Sequence, residues 1–207
     1  VPTIESLLAF GAASLALLII PGPAVLYIVN RSLADGRNVA LAAVAGLEIG
    51  NFMHVIAATV GLSAVIATSV TAFSVIKWIG AGYLVYVGAR TLAVKPKSIN
   101  QANEQMSRRR AFTQGIVVNT FNPKVALFFL SFLPQFIDTS RGSGALQSLI
   151  LGSTFVVIGC ISDSLFAITA SALRGTLLRG RALPFAQRYV AGSVFIALGV
   201  IASTTRR

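Results

Sequence analysis

Two of the six acidic residues stand inside long apolar runs: Glu48 in Leu-Glu-Ile-Gly-Asn51, and Asp163 in Ile-Ser-Asp-Ser-Leu. One basic residue does the same, Lys124 in Asn119-Thr-Phe-Asn122-Pro123-Lys124-Val-Ala-Leu-Phe. A charge at the centre of a membrane helix costs about 2.5–3.5 kcal/mol on insertion scales, so it faces an aqueous path or a counter-ion rather than lipid. Asn51 lies three residues after Glu48 and shares its helical face. Either acid suits an ion pair with Lys124, a proton, or a substrate ammonium group. Lys124 suits a substrate carboxylate or a pairing with an acid. His54 lies about 120° round the helix from Glu48; it is a weaker candidate for transport chemistry, with a hydrogen-bonded packing histidine as the alternative. With one His and one Cys in the chain, neither a metal centre nor an intrachain disulfide is expected. No cofactor is expected either.

Two backbone motifs accompany these charges. In Pro21-Gly22-Pro23 each proline lacks an N–H and clashes with the carbonyl four residues back. The carbonyls of Leu17 and Ile19 then lose their usual partners. In lipid such groups must meet protein or a wet cavity. The motif is a simple kink or a broken helix whose ends line a cavity. In Asn122-Pro123-Lys124 the same argument frees the carbonyl of Asn119. A helix from Pro123 to Ile137 would span about 22 Å at ~1.5 Å per residue, short of a hydrocarbon core about 30 Å thick. Including the residues from Phe112 restores a full span and sets Lys124 near its middle.

The elements that hold these groups follow from composition. The chain has 207 residues, 55% of them hydrophobic and 11% charged, with a mean hydropathy of +0.80. Soluble domains carry roughly a quarter charged residues, so this chain cannot clothe a globule in polar surface. A large soluble domain is excluded. Six apolar segments stand out, near Ile4–Val29, Val39–Ala67, Phe73–Val94, Phe112–Ile137, Leu146–Leu173 and Phe185–Ser203. They are continuous and about 20 residues long, which predicts helices rather than barrel strands.

The net charge of +11 reads as topology, not as a nucleic-acid footprint. Twelve of the 17 basic residues, including Arg31, Arg37 and Arg108–Arg110, fall in connections on one side. Lys77, Arg141, Arg206 and Arg207 fall on the other. The richer side is predicted to be cytoplasmic, with both termini on the outer face. The polar stretch 95–111 is a basic cytoplasmic loop. It separates residues 1–94 from 112–207, three spans each. The breaks at Pro21-Gly22-Pro23 and Pro123 occupy corresponding positions, as do Glu48 and Asp163. Duplication of an odd number of spans gives an inverted repeat, and matched interrupted helices then point to a transport site. The predicted fold is an all-α membrane protein of six transmembrane helices, as two inverted three-helix repeats, the first and fourth broken at proline.

These residues resemble the lysine-exporter/homoserine-threonine-exporter family of bacterial inner-membrane amino-acid exporters. The likeness covers nearly the whole chain. It rests on Pro21-Gly22-Pro23, Gly36-Arg37, Gly46-x-x-x-Gly50 and Lys77-x-x-Gly80-Ala-Gly-Tyr-Leu-Val-Tyr-Val-Gly88. The second half adds Gln114-Gly115, Asn122-Pro123-Lys124, Phe128-Phe129 and Leu133-Pro134-Gln135-Phe136. The resemblance implies proton-driven export of amino acids or their derivatives, and an oligomer such as a homodimer. The expected partners are a small amino-acid substrate, protons and membrane lipid. The expected substrate and proton pathway comprises Pro21, Gly22, Pro23, Glu48, Asn51, Asn119, Asn122, Pro123, Lys124 and Asp163. A passive channel and a metal-ion exporter of related architecture are the alternatives. An intramembrane enzyme lacks a visible nucleophile–base pair or metal motif.

Overall fold

The computed structural model describes residues 1–68 and 106–174, with isolated helical positions between 78 and 93 and between 193 and 200. Apart from those positions, the predicted third and sixth spans, the centre of the basic loop and Lys77-x-x-Gly80 to Gly88 lie outside the described residues. Six α-helices are described: α1 Ile4–Ile19, α2 Pro23–Asp35, α3 Arg37–Thr68, α4 Arg108–Thr120, α5 Pro123–Ser131 and α6 Gly144–Ala172. Two short 3-10 turns, Leu133–Phe136 and Thr139–Arg141, join α5 to α6. Among the described residues there is no strand.

Both proline motifs break their spans. Pro23 and Pro123 open α2 and α5 at the first turn, where a missing N–H leaves no bond unmade. Gly22 and Asn122 precede them in extended conformation. The bends are 52° between α1 and α2 and 44° between α4 and the α5 segment. Thr3, Ser107 and Ser143 cap α1, α4 and α6 by accepting from N–H groups of the first turn. Gly36 takes a φ of 85°, which turns the chain from α2 into α3 at little steric cost.

The helices α3 and α6 are each long and apolar enough to cross a membrane, and each bent pair passes the same test as one span. Their faces are arranged for lipid. On α6, Val157, Ile161, Leu165 and Ile168 point outward, whereas Gly152, Gly159, Ser162, Asp163 and Ala167 are inside. The glycines and polar groups of this stretch thus face protein, beside the buried Leu151 and Phe155, and one row of large apolar side chains faces out. The two long helices pack on each other, and both also pack on α2; α3 packs further on α4 and α6 on α1.

Phe10, Phe128, Phe129, Phe132 and Phe155 centre the largest apolar cluster. Phe128 stacks on Phe132 at 5.2 Å and tilts on Phe155 at 5.5 Å. Nearby, the Val1 amino group donates to the carbonyl of Arg141. At the opposite end of the helices Asp35 pairs with Arg31 at 2.8 Å and accepts from the Met106 N–H at 2.7 Å. Tyr27 donates there to the carbonyl of Ala111 at 2.9 Å.

Candidate substrate and proton pathway at the helix breaks

Glycine sets the spacing of α3 and α4. A Cβ on Gly46 would overlap the carbonyl of Phe112, and one on Gly115 would lie 2.5 Å from the Ala43 oxygen. A Cβ on Gly50 would meet the Cβ of Asn119 at 2.8 Å. The two backbones therefore touch, as small residues permit in membrane helices. This contact delivers Asn119 of α4 to the polar face of α3.

The polar side chains join in one directed chain. Asn122 Nδ2 donates to Asn119 Oδ1 at 3.0 Å. Asn119 Nδ2 donates to Asn51 Oδ1 at 2.6 Å and to the Leu47 carbonyl at 2.8 Å. Asn51 Nδ2 donates to Glu48 Oε2 at 3.0 Å. At the far end the Lys124 N–H donates to Asn122 Oδ1, which caps α5. The backbone fixes the direction. Leu47 offers only an acceptor and the Lys124 backbone only a donor, so each carboxamide has one consistent orientation.

Lys124, Glu48 and Asp163 are 7%, 8% and 2% exposed. The Lys124 ammonium donates to the carbonyl of Ile20 at 2.9 Å. Its stem crosses Gly22, where a Cβ would sit 3.1 Å from Lys124 Cδ. Gly22 thus gives the lysine its room. Asp163 on α6 is electrostatic neighbour to Lys124 and to the Glu48 carboxyl. Gly159, one turn before Asp163, lets α6 close on Glu48: a Cβ there would lie 2.9 Å from Glu48 Oε2.

The structure brings Gly22, Glu48, Asn51, Asn119, Asn122, Lys124 and Asp163 together. Pro21 is buried beside them, but the rings of Pro23 and Pro123 are exposed. Those two prolines act through the backbone break. The freed carbonyls also differ in part from the simple count. That of Leu17 is retaken by the Ile20 N–H at 3.2 Å, and the carbonyl that recruits Lys124 is that of Ile20. The Asn119 carbonyl, deprived of an N–H by Pro123, accepts from the Asn122 N–H and contacts His54 Nε2 at 2.9 Å. His54 is therefore hydrogen-bonded packing, and it seals the second break. The roles of Ile20, Leu47 and Gly159 have no marker in composition; only the i−4 spacing of Gly159 from Asp163 hints at one. No group of three or more metal-ligating side chains is gathered among the described residues.

Broken spans meeting around buried charges define a multi-pass membrane transporter. The chain belongs to the LysE type translocator family, whose model matches residues 15–205, and it is a translocator rather than an enzyme. It is 30% identical to an uncharacterized membrane protein of Vibrio cholerae, over 96% of this chain and 97% of the relative. It is also 30% identical to a homoserine/homoserine lactone efflux protein of Salmonella typhimurium, over 99% of this chain and 98% of the relative. The corresponding protein of Salmonella typhi is 31% identical over the same shares. No solved structure matches the chain.

Proposed function

We propose that the protein is a secondary transporter that exports a small amino acid or amino-acid derivative from the cytoplasm by proton antiport. One observation carries this reading: Lys124, Asp163 and Glu48 are buried together where the two broken spans meet. Lys124 beside the α2 N-terminus offers positive charge to a substrate carboxylate. Glu48 and Asp163 offer acceptors to an ammonium group or a proton. The two cations compete for the same oxygens, which is the elementary requirement of antiport. The names of the Salmonella relatives favour homoserine, a neutral zwitterion, or its lactone, which keeps the amine but has no carboxylate. A neutral zwitterion also suits a site with one buried lysine and two acids.

The matched proline breaks before α2 and α5, and the packing of the two long helices α3 and α6 on each other, support an inverted repeat. Alternating access then rocks one half against the other about this site. The end bearing Arg31, Arg37 and Arg108–Arg110 faces the cytoplasm of a bacterial inner membrane, and the Val1 end faces out. A homodimer is the proposed assembly.

Reconstituted vesicles loaded with labelled homoserine, homoserine lactone or threonine test the reading. An imposed pH gradient should drive uphill export that an uncoupler abolishes. Uphill export indifferent to the uncoupler would overturn proton coupling, and flux only down the substrate gradient would indicate a pore.

A further inference from the structure

The carboxyl oxygens Glu48 Oε1 and Asp163 Oδ1 are buried and accept from no donor among the described residues. Buried polar atoms are rarely left so, because each forfeits the hydrogen bonds that water gave it. Glu48 packs on α6 one turn before Asp163, where a Cβ on Gly159 would lie 3.0 Å from Oε1, and the two carboxyls interact electrostatically. A proton shared between the two carboxyls would give such oxygens a donor that no side chain among the described residues supplies. The other Glu48 oxygen is already committed, since the asparagine chain ends by donating to Oε2. Its direction cannot reverse while the Leu47 carbonyl accepts from Asn119 and the Lys124 N–H donates to Asn122.

We infer that Asn51, Asn119 and Asn122 are positioning residues that hold Glu48 Oε2 as an acceptor and direct a single shared proton to Glu48 Oε1, facing Asp163. This deepens the antiport reading and rests on it for its link to transport. The groups facing the pair are Lys124 from α5 and Asn51 on α3 itself, with His54 engaged at the Asn119 carbonyl. One proton on the two acids, with Lys124 charged, leaves the buried cluster neutral. Loss of that proton leaves one net negative charge, to which a substrate ammonium is the natural replacement. The proton moves as H+ alone; no covalent bond of the substrate changes.

The first test is infrared difference spectroscopy on the full reconstituted chain at neutral pH. It is expected to show a protonated-carboxyl band that Glu48→Gln abolishes and Asp163→Asn shifts. A band unaffected by Glu48→Gln would overturn the assignment, whether or not transport is proton-coupled. The second test is the pH profile of efflux. Asn51→Leu removes the donor that favours ionised Glu48, so proton release should need a higher pH. The profile should move to alkaline by about one unit, a tenfold change in proton affinity, and Asn51→Gln should restore it. An unmoved profile in Asn51→Leu, beside a coupled wild type, would overturn the positioning role. A wild type without coupling, but with the Glu48 band, would instead defeat the antiport reading and leave the shared proton supported.

Discussion

The ammonium of Lys124, at the start of α5, donates a 2.9 Å hydrogen bond to the carbonyl of Ile20, where α1 has ended and α2 has not begun. One helix break is thus tied to the other by the charge that the second one carries. A carbonyl exposed by the first break is satisfied without water, and a buried ammonium gains an acceptor. Under the proposed alternating access, movement of α5 relative to the α1–α2 break would have to break or carry this bond.

Lys124→Ala should therefore lower efflux at least ~10-fold if it contributes even ~1.4 kcal/mol to substrate binding or turnover. It should also destabilise the protein, since removing one member of a buried charge cluster costs about 3–5 kcal/mol. Lys124→Arg should not rescue efflux, because a planar guanidinium does not reproduce the compact ammonium that donates to the Ile20 carbonyl. Efflux assays and thermal denaturation in detergent check both points. Wild-type efflux in Lys124→Ala would remove the residue from the pathway.

Replacing Pro123 by Ala returns an N–H that can bond the Asn119 carbonyl, at present contacted by His54 and the Asn122 N–H. The break should then straighten and the asparagine chain lose register. Efflux is expected to fall several-fold while the protein remains folded. Spin-label distances across the α4–α5 bend of 44° would report the straightening.

His54→Leu removes one hydrogen bond to that carbonyl. The expected loss of stability is about 0.5–1.5 kcal/mol, with the pH profile of efflux unchanged. A displaced profile would show that the histidine takes part in proton transfer.

Gly46→Ala should be strongly destabilising, because its Cβ would overlap the Phe112 carbonyl backbone, which cannot move aside alone. Gly61→Ala, on the same helix, has nothing within 4 Å of the new Cβ. It should be neutral or stabilise slightly through helix propensity. The yield and melting temperature of the two variants provide a matched comparison; similar losses in both would contradict the close α3–α4 contact.

Phe155→Ala opens the aromatic cluster against Phe128 and Phe129. A fully buried phenylalanine costs about 3–5 kcal/mol on truncation. A melting temperature equal to wild type would show that the cluster is not packed as described.

Sequence by itself determined the membrane class, the places where helices break and the shared face of Glu48 and Asn51. Those are local properties: hydropathy over one turn after another, a missing N–H at Pro23 and Pro123, and a spacing of three residues. Lys124, Glu48 and Asp163 were legible as a candidate site because charge in an apolar run is costly wherever the run folds. The partners were not legible. Tertiary structure alone chose Ile20 for Lys124, placed Asn119 between Leu47 and Asn51, and closed Gly159 over Glu48. The physical reason is that each of those contacts joins different helices. Their separation and rotation are set by where glycines let backbones touch and large side chains hold them apart, and no single helix encodes that.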